Sequence, residues 1–259
     1  MVLAWASGDA YEPYVGRWSR LVAHEFLDWL GAPPRSRWLD LGCATGALTR
    51  AILARCDPVT VVGVDSSAEY VTWAAARVDD PRARFAVADA SDLQAAGADV
   101  VVSGLVLNFL PDPAAAVASM RVVAPDGVVA AYAWDYAGRM EPMRHFWDAA
   151  VALDPAAADL DEGVRFSICR PERLEALWRG AGLADVCSRP IDVPTVFRDF
   201  DDYWRPFLGG QGPAPGYAMS LDEEPRTALR ERIRAALPVS RDGSISLVAR
   251  AWAVRGRSR

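Results

Sequence analysis

The sequence predicts an α/β fold, a mostly parallel seven-stranded sheet with helices on both faces and a helical, aromatic cap. Three observations carry this. Short apolar, often β-branched runs alternate with segments of helical periodicity between residues 37 and 134. The early runs stop at a glycine or an aspartate, residues that let a strand turn into a loop. Helix-start signals, S-x-x-E and D-P, stand directly behind two of those runs.

The elements follow in order. Leu21, Val22, Phe26, Trp29 and Leu30 repeat at helical spacing, and Gly31 with Pro33 and Pro34 ends that helix. Residues 37–41 form a short buried strand ending in glycine, and residues 47–55 resume helical periodicity through Leu48, Ile52 and Leu53. A β-branched run over 59–64 ends at Asp65, and Ser66 with Glu69 has capping-box spacing for a helix towards Arg77. Residues 84–88 and 99–107 read as the third and fourth strands. Asp112 followed by Pro113 reads as an N-cap with proline at N1, opening a helix over 114–122. Pro125-Asp126-Gly127 turns into a fifth strand, 128–134.

Beyond Trp134 the pattern changes. Helices are expected over 141–153 and 171–178, and a sixth strand over 186–196. Residues 197–218 read as a loop dense in aromatics and glycine. Ser220 and Glu223 then have capping-box spacing for a helix over 226–237, and Asp242-Gly243 turns into a last strand, 244–254.

Composition narrows the function. The chain has 259 residues, 52% of them hydrophobic, enough for a large buried core. A net charge of −6 without a basic patch disfavours nucleic acid, whose binding draws on clustered cations. Arg250, Arg255, Arg257 and Arg259 make the last residues locally basic, which reads as a solvated tail. Cys43, Cys56, Cys169 and Cys187 form no CxxC pair, so neither a disulfide framework nor a zinc site is expected. Reduced thiols, Asp9 and Glu12 near the start, and no long apolar run lead to an expectation of a cytoplasmic protein off the membrane. Every Lys/Arg position is Arg. That excludes a Schiff-base or P-loop lysine.

The strongest motif is Leu39-Asp40-Leu41-Gly42-Cys43-Ala44-Thr45-Gly46 at a strand-to-helix junction. Glycines there let the backbone turn sharply and approach a ligand, and the next helix offers unpaired N–H groups. The dinucleotide spacing G-x-G-x-x-G is not met, because Ala44 and Ala47 stand where the later glycines belong.

This stretch resembles motif I of the class I S-adenosylmethionine-dependent methyltransferases, D/E-x-G-x-G-x-G, with Ala44 for the middle glycine. The order of further motifs, Asp65, Asp89, the run Gly104 to Asp112, and residues 121–128, is similar to the same family's. The resemblance implies a Rossmann-like sheet with an antiparallel last strand and S-adenosylmethionine as cofactor. It implies that Asp40, Gly42, Ala44 and Gly46 form the cofactor turn. Asp65 would hold the ribose hydroxyls beside Ser66, and Asp89 the adenine amine with Ala90 supplying backbone contacts. Leu105 and Asn108 would line the methionine moiety. The lead-in Tyr11 to Arg20 is similar to a segment that covers the cofactor in many such enzymes, making Tyr14 and Arg17 candidates to touch it, Arg17 at its carboxylate. The competing reading is a helix that only packs on the sheet.

One domain over 1–259 is expected, with a cofactor-covering helix in 1–35, a core in 36–135 and acceptor-side cap insertions in 136–170 and 197–243. Segments around Met143 and over 200–217 resemble C-terminal regions of bacterial methyltransferases with no assigned acceptor. Trp134, Tyr136, Phe146, Tyr203, Trp204 and Phe207, with His145 and Trp147 nearby, form either an apolar acceptor lining or ordinary core. His145 is the candidate general base, against a hydrogen-bonded structural histidine, with Asp135 and Asp148 behind it. No metal is expected. The implied activity is in-line methyl transfer to an O, N or C atom of a small, apolar or aromatic molecule. The alternatives are a cofactor-binding protein without turnover, a peptide or RNA acceptor, and a nicotinamide oxidoreductase. The oligomeric state is left open.

Overall fold

The computed structural model describes residues 16–93, 97–210 and 212–258. Seven strands form one sheet: β1 (Arg37–Leu41), β2 (Thr60–Asp65), β3 (Ala83–Val87), β4 (Val100–Gly104), β5 (Val128–Trp134), β6 (Ala184–Phe197) and β7 (Ile245–Arg257). Their order is β3-β2-β1-β4-β5-β7-β6, with the first five parallel and the last strand antiparallel. The order reverses at β1 and β4, so their carboxyl ends flank the crevice that such sheets open to ligands. Asp40 pairs with Gly63 on one side and Val102 on the other.

The helices before the fifth strand are α1 (Arg17–Leu30), α2 (Ala47–Arg55), α3 (Ala68–Arg77) and α4 (Pro113–Val123). Those after it are α5 (Glu141–Leu153), α6 (Glu162–Arg165), α7 (Pro171–Gly180), α8 (Phe200–Trp204), α9 (Pro213–Ser220) and α10 (Glu223–Ala236). The chain divides into two compact units. Among the described residues, one comprises those within 20–133, 168–191 and 251–258; the other comprises those within 16–19, 134–167 and 192–250.

The first unit is built on the sheet. Leu39, Leu41, Val101 and Val129 pack against Val117 and Met120 of α4 and Leu174 and Trp178 of α7. The indole N–H of Trp178 donates to the Val129 carbonyl at 2.9 Å, so the largest ring of this layer keeps its polar atom satisfied. Arg255 closes α1: its Nη1 donates to the carbonyls of Trp29 and Leu30, and its guanidinium lies 4.7 Å from the Trp29 ring centre.

The second unit is built on α5. Phe146 stacks on Phe207 at 4.6 Å, and Tyr203 and Trp204 pack on the same Phe207. The Tyr203 hydroxyl donates to the Pro142 carbonyl at 2.7 Å. Arg144 clamps Asp161 with two hydrogen bonds of 2.9 and 2.7 Å and also donates to the Tyr136 carbonyl.

Several boundaries depart from the sequence reading. β4 stops at Gly104, not residue 107, because Leu105 takes a left-handed φ of +63° and the chain folds into a 3₁₀ turn over Leu107–Phe109. Ser67, not Ser66, caps α3, accepting from the Tyr70 amide. Ser220 closes α9 by donating to the Tyr217 carbonyl, and Asp222 stands at the N-cap of α10. The expected loop over 197–218 contains α8, a 3₁₀ turn over Arg205–Gly209, and the start of α9. Its rings are buried, so tertiary packing overrides the local glycine and proline signals. β6 carries Pro190 and Pro194, tolerated because it is an edge strand.

Candidate cofactor site

The carboxyl ends of β1 to β4 surround a cleft of about 470 Å³. Leu41 and Gly42 enter it from β1, and Asp65 and Ser66 from β2. The stretch from Ala88 to Ser91 follows β3. Val106, Leu110, Pro111 and Asp112 come from the segment after β4.

The glycine turn explains how the first wall forms. The amides of Gly42 and Cys43 both donate to the Val64 carbonyl, at 2.8 and 3.0 Å, which folds the chain back over β2. Gly42 has φ +73°, and a Cβ there would lie 2.5 Å from Val106 Cγ2. Only glycine lets these two walls meet. Gly46 has φ +75° at the N-cap of α2 and does not line the cleft.

Asp65 ties two loops together. One carboxylate oxygen accepts the Ala44 amide at 3.0 Å and the other the Ser67 amide at 2.9 Å. Each oxygen keeps a lone pair for a ligand hydroxyl. Ala44 adopts φ +43°, the left-handed conformation that the family's glycine would take without strain.

Asp40 is buried and does not line the cleft. Its carboxylate accepts the Thr49 hydroxyl at 2.7 Å, which anchors β1 to α2 beneath the turn. Burial pushes its pKa up to about 7, against the Thr49 hydrogen bond, and the Asp65 charge pushes the same way. Burial likewise raises the Cys43 thiol, which argues against a reactive cysteine in the turn. Asp89 is exposed; one oxygen accepts the amide and hydroxyl of Ser91 at 2.8 and 2.6 Å, which holds its pKa below the ordinary value.

The structure thus brings Gly42, Asp65, Ser66, Asp89 and Ala90 to one cleft. Asp40 in β1, and Ala44, Gly46, Leu105 and Asn108 in the supporting turns, lie outside its lining. The Asn108 carboxamide nitrogen is buried without a hydrogen-bond partner. Tyr14 lies outside the described residues. Arg17 belongs to the second unit, where its Nη1 meets Asp202 at 3.4 Å.

Phe146, Tyr203, Trp204 and Phe207 are brought together, ring on ring. Trp134 and Tyr136 are also buried, and Tyr136 packs on Phe166 at 5.4 Å. His145 is half-buried on α5; burial lowers its pKa, with Asp148 and Glu141 opposing. Sequence reasoning missed Thr49 and Ser67, and named Val106 and Asp112 only within the run Gly104 to Asp112. The spacing of Ser67 next to Ser66 was the available signal.

Comparison with known proteins agrees with this geometry. A family model described as a methyltransferase domain matches residues 39–131. A demethylmenaquinone methyltransferase of Roseiflexus sp. is 30% identical over 182 residues, covering 63% of this chain and 75% of the relative. A trans-aconitate 2-methyltransferase of Methylobacterium radiotolerans is 35% identical over 126 residues, 48% of this chain and 47% of the relative. This chain spans about half the length of the trans-aconitate relatives it matches. In structure, the chain is similar to phosphoethanolamine N-methyltransferase 2 of Haemonchus contortus, solved with phosphomonomethylethanolamine and S-adenosylhomocysteine. The TM-score is 0.59 at 15% identity, over 97% of this chain and 57% of that one, a likeness of fold. The chain belongs to the class I S-adenosylmethionine-dependent methyltransferases, whose cofactor is S-adenosylmethionine.

Proposed function

We propose that this protein transfers the methyl group of S-adenosylmethionine to a small molecule. The observation that carries the reading is the charge of the cleft. Its charged lining residues are Asp65, Asp89 and Asp112, with no arginine among the described ones. A pyrophosphate would meet three carboxylates, whereas a nucleoside bearing a sulfonium and an ammonium meets complementary charge.

Asp65 receives the ribose hydroxyls on the lone pairs its two amides leave free, and Ser66 lies alongside. Asp89, with one oxygen on Ser91, takes the adenine amine, and Ala90 adds backbone contacts. Gly42 leaves room for the amino-acid end, and Leu105 and Asn108 shape the turn after β4 without lining the cleft. Asp40 acts through Thr49 and the turn, without touching the ligand. When bound, the cofactor supplies a methyl group on a cationic sulfur, open to in-line attack by an O, N or C atom. Alignment and exclusion of water account for most of the acceleration of such a displacement.

The acceptor is a small molecule. Two named relatives support that class, since trans-aconitate and demethylmenaquinone are both small molecules. The net charge of −6 favours it over RNA. His145, whose pKa is lowered by burial, is the candidate base for taking a proton from the acceptor.

Incubation with tritium-labelled S-adenosylmethionine and a panel containing trans-aconitate, quinols, phenols, amines, a peptide mixture and total RNA tests the reading. Label in a small acceptor, absent with Asp65→Ala, supports it. Label confined to RNA or peptide, or to nothing, contradicts it.

A further inference from the structure

The outer face of α3 carries a shallow groove of about 550 Å³, lined by Ala68, Glu69, Thr72, Trp73, Ala76 and Arg77. It lies on a single helix of the first unit. Ala68, Thr72 and Ala76 are exposed and Trp73 is half-buried. The Thr72 hydroxyl donates to the Ala68 carbonyl at 2.8 Å, so its polar atom is spent within the helix and the middle of the groove offers no free donor. Two rows build the face. Glu69, Trp73 and Arg77 follow one another at i+4 spacing as a ridge, and Ala68, Thr72 and Ala76 run beside it as a low row. The ridge is preorganised, since the Arg77 guanidinium carbon lies 4.0 Å from the Trp73 ring centre. One face therefore holds both halves of a ridges-into-grooves contact, a projecting row and the space such a row fills.

Charge decides what fills it. Glu69 and Arg77 stand at opposite ends of the ridge, about 12 Å apart along the helix axis, too far to pair with each other. Both are exposed, and neither forms an ion pair among the described residues. A second copy laid antiparallel brings Glu69 of each copy beside Arg77 of the other, twice by symmetry. A parallel copy would set like charges side by side.

We infer that the outer face of α3 is a self-association surface, on which a second copy of this chain docks antiparallel, ridge into groove, with Glu69 and Arg77 paired between the copies. A helix of 10 residues cannot by itself bury the roughly 800 Å² per partner of a standard interface, so the dimer is weak and depends on concentration.

Sedimentation velocity of the native chain from about 5 to 500 µM tests this. The expected result is a monomer at the low end and a growing fraction of dimer at the high end. Glu69→Arg alone and Arg77→Glu alone each weaken the dimer about tenfold, because each puts two like-charged pairs in the contact. An equimolar mixture of these two variants regains association as a mixed dimer, since one copy then presents two basic ends and the other two acidic ones. Ala76→Arg fills the groove and abolishes association. It is read in place of a charge reversal that circular dichroism shows to be unfolded. A native chain that stays monomeric at the highest concentration overturns the inference. A dimer that survives both reversals and Ala76→Arg also overturns it, by placing the contact on another face. A mixture of the two folded reversals that stays monomeric contradicts the antiparallel pairing.

Discussion

Asp65 holds Ala44 in the left-handed conformation that the cofactor turn requires: its carboxylate accepts the Ala44 amide at 3.0 Å while φ at Ala44 is +43°. The second oxygen holds Ser67 at 2.9 Å, so one side chain fixes the loops after β1 and β2. Asp65→Asn retains only one acceptor oxygen and turns an amide donor on the other backbone N–H. The variant is expected to lose about 1–3 kcal/mol of stability. Urea unfolding at pH 7 measures this, and an unchanged midpoint would show that the carboxylate does not set the turn.

Gly42 and Val106 are matched in shape. An alanine at 42 places its Cβ 2.5 Å from Val106 Cγ2 in a backbone with φ +73°. Gly42→Ala is expected to destabilise by about 2–4 kcal/mol, from overpacking and left-handed strain together. Val106→Ala in the same chain restores the steric part and leaves the strain. A double-mutant cycle by thermal unfolding reads the coupling, and strict additivity would contradict the contact.

Glu162 makes the protein lose stability as pH rises. It is buried, accepts the Trp147 indole N–H at 2.9 Å, and burial pushes its pKa from 4.5 up to about 7. Asp161 adds to the rise, while Arg144 and Arg165 oppose it. The folded state therefore binds the proton more tightly than the unfolded one. Its contribution is complete below pH 4.5 and is lost as pH climbs to about 7. Glu162→Gln keeps an acceptor for Trp147 and cannot ionise. It should match the native protein at pH 4.5 and exceed it at pH 8, by up to roughly 3 kcal/mol. Urea titrations at the two pH values test this; a constant difference would mean that Glu162 does not titrate. Asp40, also raised to about 7, titrates in both proteins and cancels.

The Arg144–Asp161 pair, at 2.7 Å and with side chains only 16% and 10% exposed, carries the opposite expectation. Asp161→Ala removes the two-bond clamp but leaves Arg144 with Asp148 at 3.3 Å and the Tyr136 carbonyl. It is expected to cost about 1–3 kcal/mol by thermal unfolding. Gly163→Ala perturbs the same clamp from the backbone side, because its Cβ would lie 2.5 Å from Arg144 Nη1.

Residues 37–134 were largely legible because local signals stand at most element ends there: Gly42, Asp65, Asp89 and the Asp112–Pro113 cap of α4, whose carboxylate accepts the Ala115 amide at 2.9 Å. The end of β4 carried none. Strand-end acids also disclosed most of the cleft, since the sheet's topology collects them at one edge. Thr49 was not legible. Its pairing with Asp40 depends on the turn of α2, which no spacing rule in a single sequence specifies. Residues 197–218 were misread for a related reason. Phe200, Tyr203 and Trp204 pack on one another, and Tyr203 and Trp204 pack on Phe207, which stacks on Phe146, whereas local propensity reads the glycines and prolines instead. Ser66 and Ser67 are adjacent, and only the backbone angle, −87° and 111° at Ser67, decides which one caps.

The most direct test is calorimetric titration of S-adenosylhomocysteine and NADH into the native protein and Asp65→Ala. Micromolar S-adenosylhomocysteine binding, weakened about ten- to hundredfold in Asp65→Ala as the loss of a charged hydrogen-bonding group predicts, is the expected result. NADH should not bind. Equal affinity of the two proteins for S-adenosylhomocysteine, or binding of NADH in its place, would contradict the assignment of this cleft.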